Sequence, residues 1–298
     1  MNNFIEYFYY IKVDKIKFID NYYSFTHNGY LYKLFSYDGD MATVRTLYEI
    51  NRKLIRNTLM SEIIINHNNE VISHYNGINY ILIKLFVNPK KNIFLKEISL
   101  LSNTLYKSNI DSNWGILWSN KIDYLENLIN ESGKKYPMMV DSFNYFVGMC
   151  ENAISYFNSI NIDNDYKYVI SHKNITRKDT IESLYNPMNI IFDFKVRDVA
   201  EYLKNSFFNN NYNVSSELTN YLKVNSLSIM EVKLLIARLL YPSFYFELYE
   251  DILVNNNDEK ILVDIISRVD EYENYLCDLI SFLKLHYDVD EVKWLKKK

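Results

Sequence analysis

The sequence predicts an α+β fold in which a small antiparallel β region with one helix precedes a larger, mainly helical region. Three observations carry that reading. Aromatic and β-branched runs flank two Asn-Gly turns in the first 87 residues, a polar stretch with a proline occupies 88–92, and apolar residues recur at three- and four-residue steps through most of 93–298.

Residues 22–27 and 30–36 read as strands joined at Asn28-Gly29, a type I′ hairpin signal. Val44, Leu47, Tyr48, Leu54, Ile55 and Leu59 mark a helix over 41–59. Strands at 62–66, 70–75 and 78–87 follow, the last two joined at Asn76-Gly77. The order is therefore strand, strand, helix, then three strands. The division falls at 88–92, with a small β-rich lobe over 1–87 and a helical lobe over 93–298. Helices are expected at 92–109, 113–132 and 141–158, then at 197–208, 214–224, 227–240, 243–254 and 258–284. A β-like interlude interrupts them near 166–194.

Composition excludes several classes. The formal charge is −4, so no global positive field draws nucleic acid or an anionic membrane. Six glycines, no two closer than ten residues, exclude GxGxxG, the GxxxxGK phosphate loop and GxSxG. Cys150 and Cys277 offer neither a metal spacing nor a disulfide framework. The opening MNNFIEYFYY lacks a signal peptide's basic segment and long apolar run, and no apolar run is long enough to span a bilayer. A cytoplasmic protein with reduced thiols is expected.

The interlude carries the candidate chemistry. A strand ends in His172 and runs into Lys173, Asn174 and, after four residues, Asp179. A second apolar strand (Ile190, Ile191, Phe192) then ends in Asp193. A β-rich lobe, a linker and a helical lobe with this insertion resemble the protein-kinase-like phosphotransferases, above all the aminoglycoside and choline kinase branch. There the loop reads H-x-D-x-x-x-x-N and a following strand ends in a metal-binding Asp. Here Asn and Asp stand in exchanged places. The resemblance puts Asn174 where the base belongs, and a neutral amide orients a hydroxyl without accepting its proton. It also makes Asp179 and Asp193 the metal residues, since hard cations prefer oxygen. Lys33, mid-strand, and Glu49, sixteen residues later on the expected helix, suit the family's lysine–glutamate pair that positions ATP phosphates. Lys84 is the rival lysine. The glycine-rich phosphate cover is missing.

Each residue also has a structural reading. His172 suits a strand-end hydrogen bond, Lys33 a snorkelling strand lysine, Asp193 a cap for the next helix and Glu49 a solvated helix position. Cys150 lies in an apolar stripe and reads as core. Arg197 and Asp198 are placed to tie the Asp193 strand to the following helix.

A narrower resemblance rests on four segments in order. They are Trp114 to Glu126 (WGILWSNKIDYLE), Ser142 to Ile154, Arg197 to Leu203 (RDVAEYL), and Ala237 to Glu247 (ARLLYPSFYFE). They are similar to the spore-coat kinase-like family of the YutH and CotS type. The resemblance implies a two-lobed protein-kinase-like fold with weakened catalytic machinery. It also implies a pseudokinase made in the mother-cell cytoplasm, deposited on the spore coat and partnered by coat proteins. No nucleic acid or membrane partner is expected. ATP and Mg²⁺ enter only if the cleft is functional. The alternative is an active phosphotransferase acting on a small hydroxyl compound or a protein, and a third reading is a helical interaction protein unrelated to kinases.

Overall fold

The computed structural model describes residues 1–19, 21–86, 93–108, 110, 112–175, 181–210 and 214–296. The expected linker at 88–92 and Asp179 therefore lie outside the described residues. The chain divides into two compact units, 1–105 with 172–191, and 106–171 with 192–298. The sequence reading divided it at 88–92 instead. Residues 172–191 return to the first unit through Ser61 N–H on the Tyr185 carbonyl (2.9 Å), Lys33 on Glu182, and Met188 packed on the sheet core.

In the first unit, α1 (Asn2–Tyr9) precedes β1 (Lys17–Ile19), β2 (Tyr22–His27) and β3 (Tyr30–Ser36). Then come α2 (Met41–Leu54), β4 (Glu62–Ile64), β5 (Ser73–Tyr75) and β6 (Ile78–Leu85). Every pairing is antiparallel, in the order β1-β2-β3-β6-β4, with β5 on β6. The hairpin turns form as expected. Asn28 and Gly29 take φ 49° and 78°, and Asn76 and Gly77 take 50° and 80°, the left-handed backbone that Asn and Gly tolerate best.

One sheet face buries Phe25, Tyr32, Leu34, Tyr80 and Leu82 against Phe4, Ile5 and Tyr9 of α1. The other carries Ile63, Ile81, Ile83 and Leu85 with Val44 of α2. The sequence reading omitted α1 and the short β1. It also ran α2 to residue 59, whereas the helix stops at Leu54, where Thr58 turns back and its hydroxyl and N–H both donate to the Leu54 carbonyl (2.8 and 3.0 Å).

Beyond α3 (Leu95–Ser102), the strands β7 (Tyr106–Lys107), β8 (Tyr168–His172) and β9 (Ile190–Asp193) form a second sheet in that order. The helices α4 (Trp114–Ser132) and α5 (Pro137–Asn158) separate β7 from β8, and one-turn α6 (Ile181–Leu184) precedes β9. The second unit continues with α7 (Arg197–Phe208), α8 (Val214–Val224), α9 (Ile229–Leu240), α10 (Ser243–Asn255), α11 (Val263–Ser267) and α12 (Val269–Lys284). A Ser228–Glu231 capping box starts α9. The single helix expected at 258–284 is broken at Arg268, whose guanidinium reaches the Phe207 carbonyl and the Asn210 side chain (3.3 and 3.0 Å). Among the described residues no helix is long and apolar enough to cross a membrane.

Candidate functional site: the kinase-like loop and a buried aspartate

Lys33 pairs in register with Ser24 and Ile83, and so lies on the α2-covered face of the first sheet. Lys84 pairs with Tyr32 and belongs to the opposite face, over the rings of Tyr30 and Phe86 (4.1 and 5.0 Å). Alternation along a strand thus separates the two rivals. The expected partner of Lys33 is corrected, because its ammonium binds the Glu182 carboxylate and stands 4.3 Å from the centre of the Tyr22 ring. Glu49 is exposed and has no ion pair among the described residues. The reason is helical phase. Val44, Leu47, Asn51 and Leu54 form the buried face of α2, and Glu49 projects away from it.

His172 is buried, and its Nε2 donates to the Leu184 carbonyl at 2.8 Å. This holds the end of α6, the turn that presents Glu182. Asn174 is exposed, with its backbone pinned by Asn189, whose side-chain amide donates to the Asn174 carbonyl (3.0 Å) and whose main-chain carbonyl accepts from Lys173 N–H (2.8 Å). Lys33, Glu49, His172 and Asn174 all belong to the first unit, whereas Asp193 belongs to the second.

Asp193 is 3% exposed and enclosed by donors. Its Oδ1 accepts from the Ser112 hydroxyl (2.8 Å), the Trp114 indole (3.0 Å) and Phe194 N–H (2.7 Å). Its Oδ2 accepts from the Arg197 guanidinium at 2.6 Å and shares the Trp114 indole at 3.2 Å. A carboxylate has about four lone-pair sites; here three donors crowd Oδ1, and Arg197 with the longer branch of the Trp114 bond takes Oδ2. The arrangement does not fit a magnesium ion. Ligation would displace Arg197 and leave a guanidinium with its buried partner removed.

Around Trp114 the residues of the sequence motifs converge. Arg238 lies over the Trp114 and Tyr241 rings, 5.2 Å from each centre, and Trp118 stacks on Tyr241 at 4.5 Å. Glu201 Oε1 accepts from Arg238 Nε (2.7 Å) and Lys204 Nζ (2.9 Å), and Oε2 accepts from the Ser243 hydroxyl (2.7 Å). Lys204 also donates to the Arg238 and Tyr241 carbonyls (3.2 and 3.0 Å), which α9 leaves open at its C-terminus. Burial alone would raise the Glu201 carboxyl. The Lys204 and Arg238 charges and the bonds from Ser243 and Lys204 outweigh it and hold the group at about 2. Trp114, Trp118, Arg197, Glu201, Arg238 and Tyr241 are thus explained as one buried network. Sequence reasoning missed Glu182 and Ser112, which lie far along the chain from the groups they serve, and Lys204, although it stands only three residues after Glu201; Arg197, four residues after Asp193, was the local signal that was read.

The fold is the one shared by the kinase-like phosphotransferases. An aminoglycoside phosphotransferase from Alicyclobacillus acidocaldarius superposes with a TM-score of 0.67 at 12% identity, over 91% of this chain and 93% of that one. A spectinomycin phosphotransferase solved with ADP and spectinomycin superposes with a TM-score of 0.61 at 14% identity, over 99% and 95%. The chain itself belongs to the family described as spore coat putative kinase YutH, whose profile matches residues 2–279. The endospore coat-associated protein YutH of Bacillus subtilis is 29% identical over 208 residues, covering 62% of this chain and 61% of that protein's length.

Proposed function

We propose that this protein is a non-catalytic, kinase-like component of the spore coat that works by binding or assembly. The engagement of both Asp193 oxygens by Ser112, Trp114, Phe194 and Arg197 carries the reading, because the metal position of a working phosphotransferase needs free carboxylate oxygen. Asn174 at the place of the proton acceptor and Lys33 held by Glu182 point the same way. The coat association of the Bacillus subtilis relative supports deposition on the coat. Synthesis in the mother-cell cytoplasm and partnership with other coat proteins are the remaining parts of the proposal. ATP and Mg²⁺ are not cofactors in this reading.

The test is thermal unfolding of the full chain with a non-hydrolysable ATP analogue, with and without Mg²⁺, beside a phosphoryl-transfer assay. No Mg²⁺-dependent shift and no transfer are expected. A Mg²⁺-dependent rise of about 5 °C or more would mean nucleotide binds as in an active enzyme. It would favour the alternative, a phosphotransferase acting on a small hydroxyl compound or a protein.

A further inference from the structure

A groove of about 840 Å³ in the first unit is lined by four lysines, Lys12, Lys15, Lys17 and Lys33, against two carboxylates, Asp14 and Glu182. On a chain of net charge −4 this reverses the local sign, and a concave surface with an excess of positive charge concentrates anions. Lys12, Lys15 and Lys17 are exposed, and among the described residues none has an ion-pair partner. Lys33 differs. Its side chain is only 11% exposed, and a buried ammonium without a counter-charge is costly. Glu182 supplies that charge, placing carboxylate oxygen where an external anion would put its own. The turn that carries Glu182 is held by other groups, His172 on the Leu184 carbonyl and Ser61 N–H on the Tyr185 carbonyl. The Glu182 side chain is therefore separable from the fold of α6.

We propose that Glu182 is a built-in counter-ion that closes this lysine-lined groove to multivalent phosphate anions. The proposal rests on the non-catalytic reading and names how that site is kept shut. The exposed lysines draw a polyanion to the groove, and Lys33 receives it only when Glu182 has let go.

The experiment titrates inorganic tripolyphosphate, without Mg²⁺, into the full-length protein and its variants by calorimetry, with circular dichroism confirming the fold. Glu182→Gln keeps the shape and removes the charge. It is expected to bind at least tenfold tighter than the wild type, and the double variant Lys33→Met/Glu182→Gln is expected to lose the gain. Unchanged affinity in folded Glu182→Gln overturns the proposal, and so does a gain that survives Lys33→Met. Should Glu182→Gln fail to fold, Glu182→Asp withdraws the charge by one methylene and carries the same test, with a gain expected and no gain contradicting. Phosphoryl transfer by the wild type is read separately. Its appearance would sink the non-catalytic reading and leave the tripolyphosphate comparison standing.

Discussion

Arg197 at the start of α7 donates to Asp193 at the tip of β9 across 2.6 Å, one helical turn apart in sequence. Both side chains are largely buried, so the pair works in a medium where losing one partner is expensive. This bond ties the end of the strand to the first turn of the helix.

Asp193→Asn is therefore expected to destabilise the protein by about 3 kcal/mol in urea unfolding at pH 7, since the amide offers one acceptor oxygen where four donors converge. A carboxylate kept for a metal behaves differently, and its neutralisation costs little stability or adds some.

Glu201 links stability to acid. Its folded value of about 2 lies below the ordinary 4.5, so its contribution is whole above pH 4.5 and drains away as pH falls toward 2. Urea unfolding of the wild type should weaken across that window. Glu201→Gln should lose about 3 kcal/mol at pH 7 by leaving Lys204 and Arg238 buried without their carboxylate, and should show a flatter acid limb.

Glu49→Ala should change stability by less than about 0.5 kcal/mol, because the side chain is exposed and unpaired among the described residues. A loss of 2 kcal/mol or more would mean that Glu49 does engage Lys33.

Cys150 should resist alkylation in the native state. Burial first and Glu151 second push its thiol up to about 12, with Arg238 pulling weakly the other way. Iodoacetamide at pH 8 followed by mass spectrometry should find it unmodified until denaturant is added. Labelling of the folded protein would contradict its place in the α5 core.

The elements legible in the chain were those with local chemistry. Asn28-Gly29 announced the β2–β3 hairpin, and the apolar phase of 197–208 announced α7 with its bounds. Helix α1 had no such announcement. It lacks an N-terminal side-chain cap and an acidic first turn, and its stability comes from Phe4, Ile5 and Tyr9 packing on a sheet formed later in the chain. The site divides in the same way. The strand positions of Lys33, His172 and Asp193 could be read from alternation and spacing, but their partners could not. Glu182 lies 149 residues from Lys33, and Ser112 and Trp114 lie about eighty from Asp193. Sixteen-residue spacing favoured Glu49, and the phase of α2 overruled it.

The most direct test of whether Asp193 serves the fold or a metal is a titration of Mn²⁺, standing in for Mg²⁺, followed by electron paramagnetic resonance of the free ion. With Asp193 engaged by protein donors, the Mn²⁺ signal should match that of a protein-free control of the same composition, with or without nucleotide, at micromolar to low millimolar ion. Stoichiometric uptake by the wild type that disappears in a folded Asp193→Asn variant would show the carboxylate holding metal and overturn the account.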